Sequence, residues 1–133
     1  MKRLSLFIYF FLITVLQATA QQSFDKTAVK SVMKRVADWQ IANPNKGAEH
    51  DDLDWTPAAL YMGMLDWAEL TEKEDSDDSY YQWLLRIGQR NHFQIGKWMY
   101  HADFIAVGQP FIDLYLKYGN KKMIAPDMAR DKQ

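Results

Sequence analysis

From Ser23 onward, Val29, Val32, Met33, Val36 and Trp39 recur at spacings of three and four, with Lys26, Lys30, Lys34 and Arg35 between them. That period predicts an amphipathic helix with one buried face. It should end near Asn43-Pro44-Asn45, because the residue before a proline avoids helical angles and asparagine tolerates turns. A second apolar run carries Leu60, Tyr61, Met64, Leu65, Trp67, Ala68 and Leu70. Its start is read at Thr56-Pro57, a capping hydroxyl followed by the residue that suits the first helical position. Gly63 in the middle of that run is unfavourable by about 1 kcal/mol relative to alanine, so the pattern predicts that another backbone comes close there. Glu72 to Asp78 reads as a charged, solvated connection. A third helix is predicted over Tyr80 to Gly88 and a fourth from about Asp103 to Tyr118, stopped by Gly119-Asn120. Between them, Asn91 to Tyr100 reads as irregular and aromatic, with a turn at Gly96. A short last helix is expected within Lys121 to Arg130, interrupted at Pro126.

No segment alternates apolar and polar residues as a strand would, so the chain is predicted to be all-α. Gly63 and Gly108 each lie inside an apolar helix, which suggests a repeated helical hairpin. Two hairpins cannot bury apolar faces as wide as these, and the C-terminal Met-Ala-Arg-Asp-Lys-Gln brings no capping helix. Repeat-like helical folds need several units and polar end caps. The expectation is therefore the N-terminal part of a longer, truncated fold; the rival reading is a small four-helix domain.

Composition narrows the setting. Lys2 and Arg3 precede an apolar run from Leu4 to Leu16 and then Ala18-Thr19-Ala20, which predicts a signal peptide over residues 1–20 and export to the periplasm or the cell exterior. The run is too short for a comfortable membrane span, so no stable membrane association is expected once the signal is cleaved. The chain has no cysteine, which excludes disulfide staples, thiolate metal sites and a cysteine nucleophile. A net charge of -1 gives no reason to expect nucleic acid as a partner. Aromatic residues make up 14% of the chain, enough for a large core, a sugar-stacking cleft, or both.

Candidate chemistry concentrates at two helix starts. Asp103 can cap the helix that follows it. It can also be an acid: His101 is two residues away, Trp98 and Tyr100 lie just before it, and a carboxyl beside apolar rings has its charged form disfavoured, as a general acid requires. The two roles are compatible. Trp55, beside Asp54, opens the second helix as Trp98 and Tyr100 open the fourth. Rings and carboxylates on one rim would suit a sugar, the rings flat against the pyranose face, although Trp55 and Trp98 can equally be core aromatics. His101 with Asp103, and His50 within Glu-His-Asp-Asp-Leu-Asp, lack a third ligand at a recognisable spacing, so no metal is expected, and no cofactor motif is present.

The segments VMKRVADWQ, DLDWTPAALYMGMLDWAEL, DDSYYQWLLRIGQRN and YHADFIAVGQPFIDLYLKYGN together resemble the N-terminal portion of the unsaturated rhamnogalacturonyl hydrolases and the related unsaturated glucuronyl hydrolases, glycosyl hydrolase families 105 and 88. The resemblance implies an (α/α)6 barrel of six hairpins, of which this chain would hold about the first two, in residues 21–133. It implies action on pectin-derived oligosaccharides whose nonreducing end is a 4,5-unsaturated uronic acid. An aspartate would protonate the enol-ether double bond and assist addition of water, and the hemiketal would then open and release the next sugar. Asp103 matches the first of two active-site aspartates, Trp55 the aromatic near the substrate, and His101 and Trp98 the same rim. Relatives read Ala-Asp-Asp where this chain reads Ala102-Asp103-Phe104, and the second aspartate matches no residue up to Gln133, so the chain by itself is expected to be inactive. The alternative is a small exported helical-repeat module that binds a peptide or glycan without catalysis.

Overall fold

The computed structural model describes residues 25–44, 51–96 and 101–126. Every element in them is helical: α1 (Lys26–Ala42), α2 (Trp55–Asp75), α3 (Ser79–Arg90), α4 (Ala102–Tyr118) and a 3-10 turn over Lys121–Met123. Two units divide the chain, residues 1–34 and 35–133. In the first, the described residues are the opening of α1, where the Asp25 carboxylate accepts the Thr27 N–H at 3.0 Å. Everything that follows concerns the second.

Its core forms where the apolar stripes of α2, α3 and α4 meet. Tyr61, Met64, Trp67 and Ala68 of α2, Tyr80, Leu84 and Ile87 of α3, and Val107, Phe111 and Leu114 of α4 are all buried. Burying each of the larger side chains is favourable by about 1.5–3 kcal/mol, which outweighs the helix propensity lost at the tyrosines and at Val107. Trp67 meets Tyr80 edge to face at 5.8 Å, and Tyr61 meets Trp83 at 5.9 Å. From the C-terminal half of α1, Ala37 enters this core and Ile41 packs on it, while the buried Tyr80 hydroxyl donates to Asp38 Oδ1 at 2.6 Å.

Local chemistry sets the ends. The turn before α2 is closed by the Asp54 N–H on the Asp51 carbonyl at 3.1 Å, and Asp54 is the cap, its carboxylate accepting the Trp55 N–H at 2.7 Å. The start is thus earlier than the Thr56-Pro57 reading, because a carboxylate competes better than a hydroxyl for the free amides of the first turn. Ser76 ends α2 in the left-handed region at φ 56, and Thr71, buried at that end, donates to the Trp67 carbonyl at 3.1 Å. The helix runs through most of the stretch expected to be a solvated connection, and Glu72 within it pairs with Lys117 of α4. Gly119 ends α4 at φ 70, with its N–H on the Tyr115 carbonyl at 2.7 Å, as the Gly-Asn signal predicts. Pro110, buried inside α4, has no N–H for the Ala106 carbonyl, so the helix lacks one rung there.

Two further expectations are corrected. Val29, Val32, Met33, Val36 and Trp39, read as the buried face of α1, are each 42–56% exposed. In the second unit the reason is that Ala37 and Ile41 make the core contact, which turns Val36 and Trp39 outward. Gly63 has nothing within 4 Å of the position a Cβ would take, so no described backbone approaches it.

Candidate functional site

The directions of the three helices follow from their end contacts. Arg90 at the last residue of α3 reaches Asp52 just before α2, so these two helices are antiparallel. Lys117 near the end of α4 pairs with Glu72 near the end of α2 and lies 4.1 Å over the Tyr81 ring at the start of α3. Helices α2 and α4 therefore run the same way, and their starts, with Trp55 and Asp103, share one end of the bundle.

Trp55 is the first residue of α2 and is 52% exposed. His101, not Asp103, occupies the cap position of α4: the helix begins at Ala102, and Asp103 is its second residue. The amides of Phe104 and Ile105 both reach the His101 carbonyl at 3.1 Å, which winds the first turn from His101. Asp103 is therefore the acidic residue of the first turn, where a carboxylate is favoured by the free amides and the helix dipole. Its Oδ2 is 3.6 Å from His101 Nδ1, with the side chains 46% and 44% exposed. The apolar enclosure expected for Asp103 is not what the described residues give it: its neighbour is an imidazole, itself tilted against the Phe104 ring at 5.1 Å. The structure thus brings His101 and Asp103 together and sets Trp55 one helix away at the same end. Trp98 lies outside the described residues, as does His50. No group of three or more His, Asp or Glu among the described residues could hold a metal ion.

The Asp52 cluster has no counterpart in the sequence reading. Arg90 donates from Nε to Asp52 Oδ2 and from Nη2 to Asp52 Oδ1, both at 2.7 Å, and Asn91 Nδ2 adds a bond to Oδ2 at 2.9 Å. The same Asn91 amide bonds the Ile87 carbonyl at 3.0 Å, so the cap of α3 and the turn before α2 are one network. Burial by itself would raise the Asp52 pKa; the hydrogen bonds from Arg90 and Asn91 and the Arg90 charge overcome it, and the carboxyl sits below its ordinary 3.8. Burial, and then the Asp52 charge, push the Tyr61 phenol well above the usual tyrosine range. A half-open crevice of about 230 Å³ lies over this network, lined by Gln40 and Asn43 of the α1 end, Thr56 and Tyr61 of α2, and Trp83 and Arg90 of α3. No α4 residue lines it, so it is separate from the His101–Asp103 pair.

A carboxyl whose folded pKa is depressed contributes stability above its unfolded pKa and loses it as pH falls through the folded value. Asp52 should therefore contribute fully above about pH 5 and lose its contribution below about pH 4. The midpoint of thermal unfolding should fall more steeply below pH 4 in the unaltered chain than in Asp52→Asn. Parallel curves would show that the Arg90–Asp52 pair contributes nothing to the pH dependence.

Helical hairpins whose parallel members begin with a ring and a carboxylate at one end define an all-α fold, part of a helical barrel, with a sugar-sized rim. Residues 27–131 match the family model described as Glycosyl Hydrolase Family 88, and the chain belongs to that family. At family level it is a glycosidase, and its class of substrate is an oligosaccharide carrying an unsaturated uronyl end. No match was found among curated proteins or among solved structures.

Proposed function

We propose that this chain serves the breakdown of pectin-derived oligosaccharides, its sugar being the unsaturated galacturonyl unit linked to rhamnose. Asp103 is one half of the acid/base pair that protonates the double bond and assists addition of water. Trp55 stacks on the sugar, and His101, with Trp98, lines the same rim. The observation that carries the reading is the parallel course of α2 and α4, which gives Trp55 and the His101–Asp103 pair a common end in a chain of this family. A ring stacked on a pyranose and an acid at the reacting carbon need that arrangement. Export is part of the proposal, supported by the basic, apolar and small-residue order of residues 1–20. Among the described residues no helix is long and apolar enough to cross a membrane.

Binding and turnover separate in the test. The unsaturated rhamnogalacturonyl disaccharide should bind the chain saturably and change its tryptophan fluorescence, while the ultraviolet band of the double bond persists, since no residue here matches the second aspartate. Trp55→Ala should weaken binding at least tenfold, on the order of the 1–3 kcal/mol of a lost ring contact. Asp103→Asn, which keeps the shape of the side chain, should weaken it less. Absence of saturable binding, or binding indifferent to both substitutions, would falsify the proposal.

A further inference from the structure

We propose that Arg90 and Asp52, with Asn91, are positioning residues of the sugar site: they fix the helix start that carries Trp55 against the one that carries Asp103. The inference rests on the reading of Trp55 as the ring that receives the sugar.

The Trp55 end is held in place by the turn before it. Trp55 follows directly on the turn Asp51 to Asp54, and Asp52 is the residue in that turn whose carboxylate is buried, at 14% exposure. All three hydrogen bonds described for that carboxylate come from the last residue and the cap of α3. A bidentate guanidinium–carboxylate pair fixes distance and plane together, which a single hydrogen bond or an ammonium does not. The turn, and the first residue of α2 with it, is thus tied to the end of α3.

The same end of α3 sets the other helix start. After Asn91 the chain passes through two left-handed residues, His92 and Phe93, both at φ 54. The Phe93 N–H returns to the Gly88 carbonyl at 2.7 Å, and its ring stands edge-on to Phe111 of α4 at 5.4 Å. Three residues further on, Gly96 lies so close to Phe104, in the first turn of α4, that its missing side chain is where the ring is rooted. Phe104 touches His101 and follows Asp103. From Trp55 to Asp103 there is therefore a continuous mechanical path, Asp52 to Arg90 and Asn91 to Phe93 and Gly96 to Phe104, that avoids the rim itself. Arg90 is suited to this work and not to gripping a ligand acid, because Asp52 already occupies its fork.

The test uses the full chain labelled with fluorotryptophan and read by fluorine NMR, with the Trp55 signal assigned by its loss in Trp55→Phe. In Arg90→Gln and Asp52→Asn the Trp55 signal should shift and broaden, while that of Trp67, buried in the core, stays in place and shows that the fold is kept. Arg90→Lys, which keeps the charge and loses the fork, should give an intermediate shift. Titration with the unsaturated rhamnogalacturonyl disaccharide should move the Trp55 signal of the unaltered chain and need about tenfold more sugar in Arg90→Gln, a loss in keeping with misplacing a contact group by a fraction of an ångström. A Trp55 signal unchanged in Arg90→Gln and Asp52→Asn overturns the proposal. If the substitutions move the signal but the sugar does not move it in the unaltered chain, the brace stands, and both its role in sugar binding and the functional reading beneath it are overturned. Should Arg90→Gln also displace the Trp67 signal, Asp52→Asn decides, because it changes the network without changing side-chain volume.

Discussion

Replacing Gly96 with alanine is expected to destabilise the chain by at least about 3 kcal/mol, at or beyond the upper end of ordinary overpacking. The new Cβ would fall 1.7 Å from Phe104 Cδ1, 2.0 Å from Cγ and 2.6 Å from Cβ. The last of these cannot swing aside, since a Cβ moves only with its backbone, and this backbone is the first turn of α4. The midpoint of thermal unfolding should drop by roughly 12–24 °C, at about 4–8 °C per kcal/mol for a domain of this size. The mechanism is tested by a second change. Gly96→Ala combined with Phe104→Ala should be more stable than Gly96→Ala alone, because the second truncation makes room for the first. If the two losses simply add, the destabilisation lies in the backbone conformation and not in the contact.

Phe111→Ala should cost about 3–5 kcal/mol, the range for a large aromatic removed from a closed core. Phe111 is 1% exposed, and its ring is the partner of Phe93. That pairing matters because His92 and Phe93 are held left-handed without being glycines, at about 1–2 kcal/mol each. The burial of the Phe93 ring between Gly88 and Phe111 is what keeps them there. Without Phe111 the segment from Asn91 to Gly96 should open, and urea unfolding should be accompanied by new protease cleavage within it under native conditions. Phe111→Leu should lose less than half as much. Full protection of that segment in Phe111→Ala would show that some other contact holds the left-handed pair.

The helices were legible because a 3.6-residue period and strong stop signals are local: Leu60 to Leu70 and the Gly119 end needed no knowledge of the fold. Their starts read late, at Thr56 and Asp103 instead of Asp54 and His101, because neighbouring residues compete for the cap and only the path of the incoming chain decides. The stripe on α1 announced an amphipathic helix, but periodicity does not say which face finds a partner, and in its second half Ala37 found it. Candidate site residues were legible by likeness to a family, not by spacing: His101 and Asp103 alone would have passed for a cap and its neighbour. The Asp52 network was beyond sequence reading, since its partners are 38 and 39 positions apart and its members, an acid in an acidic turn and an arginine at a helix end, are each ordinary where they stand.

Pro110 decides where α4 gives way. The missing rung to Ala106 divides the helix into a half rooted in the core through Phe111 and Leu114 and a half that begins at Ala102 and carries Asp103. Opening of the first half need not disturb the second, so its amides exchange with solvent through a smaller fluctuation of lower free energy than global unfolding. The carboxylate thus rides on a pivot: the core fixes where the helix stands, and the proline lets its tip adjust.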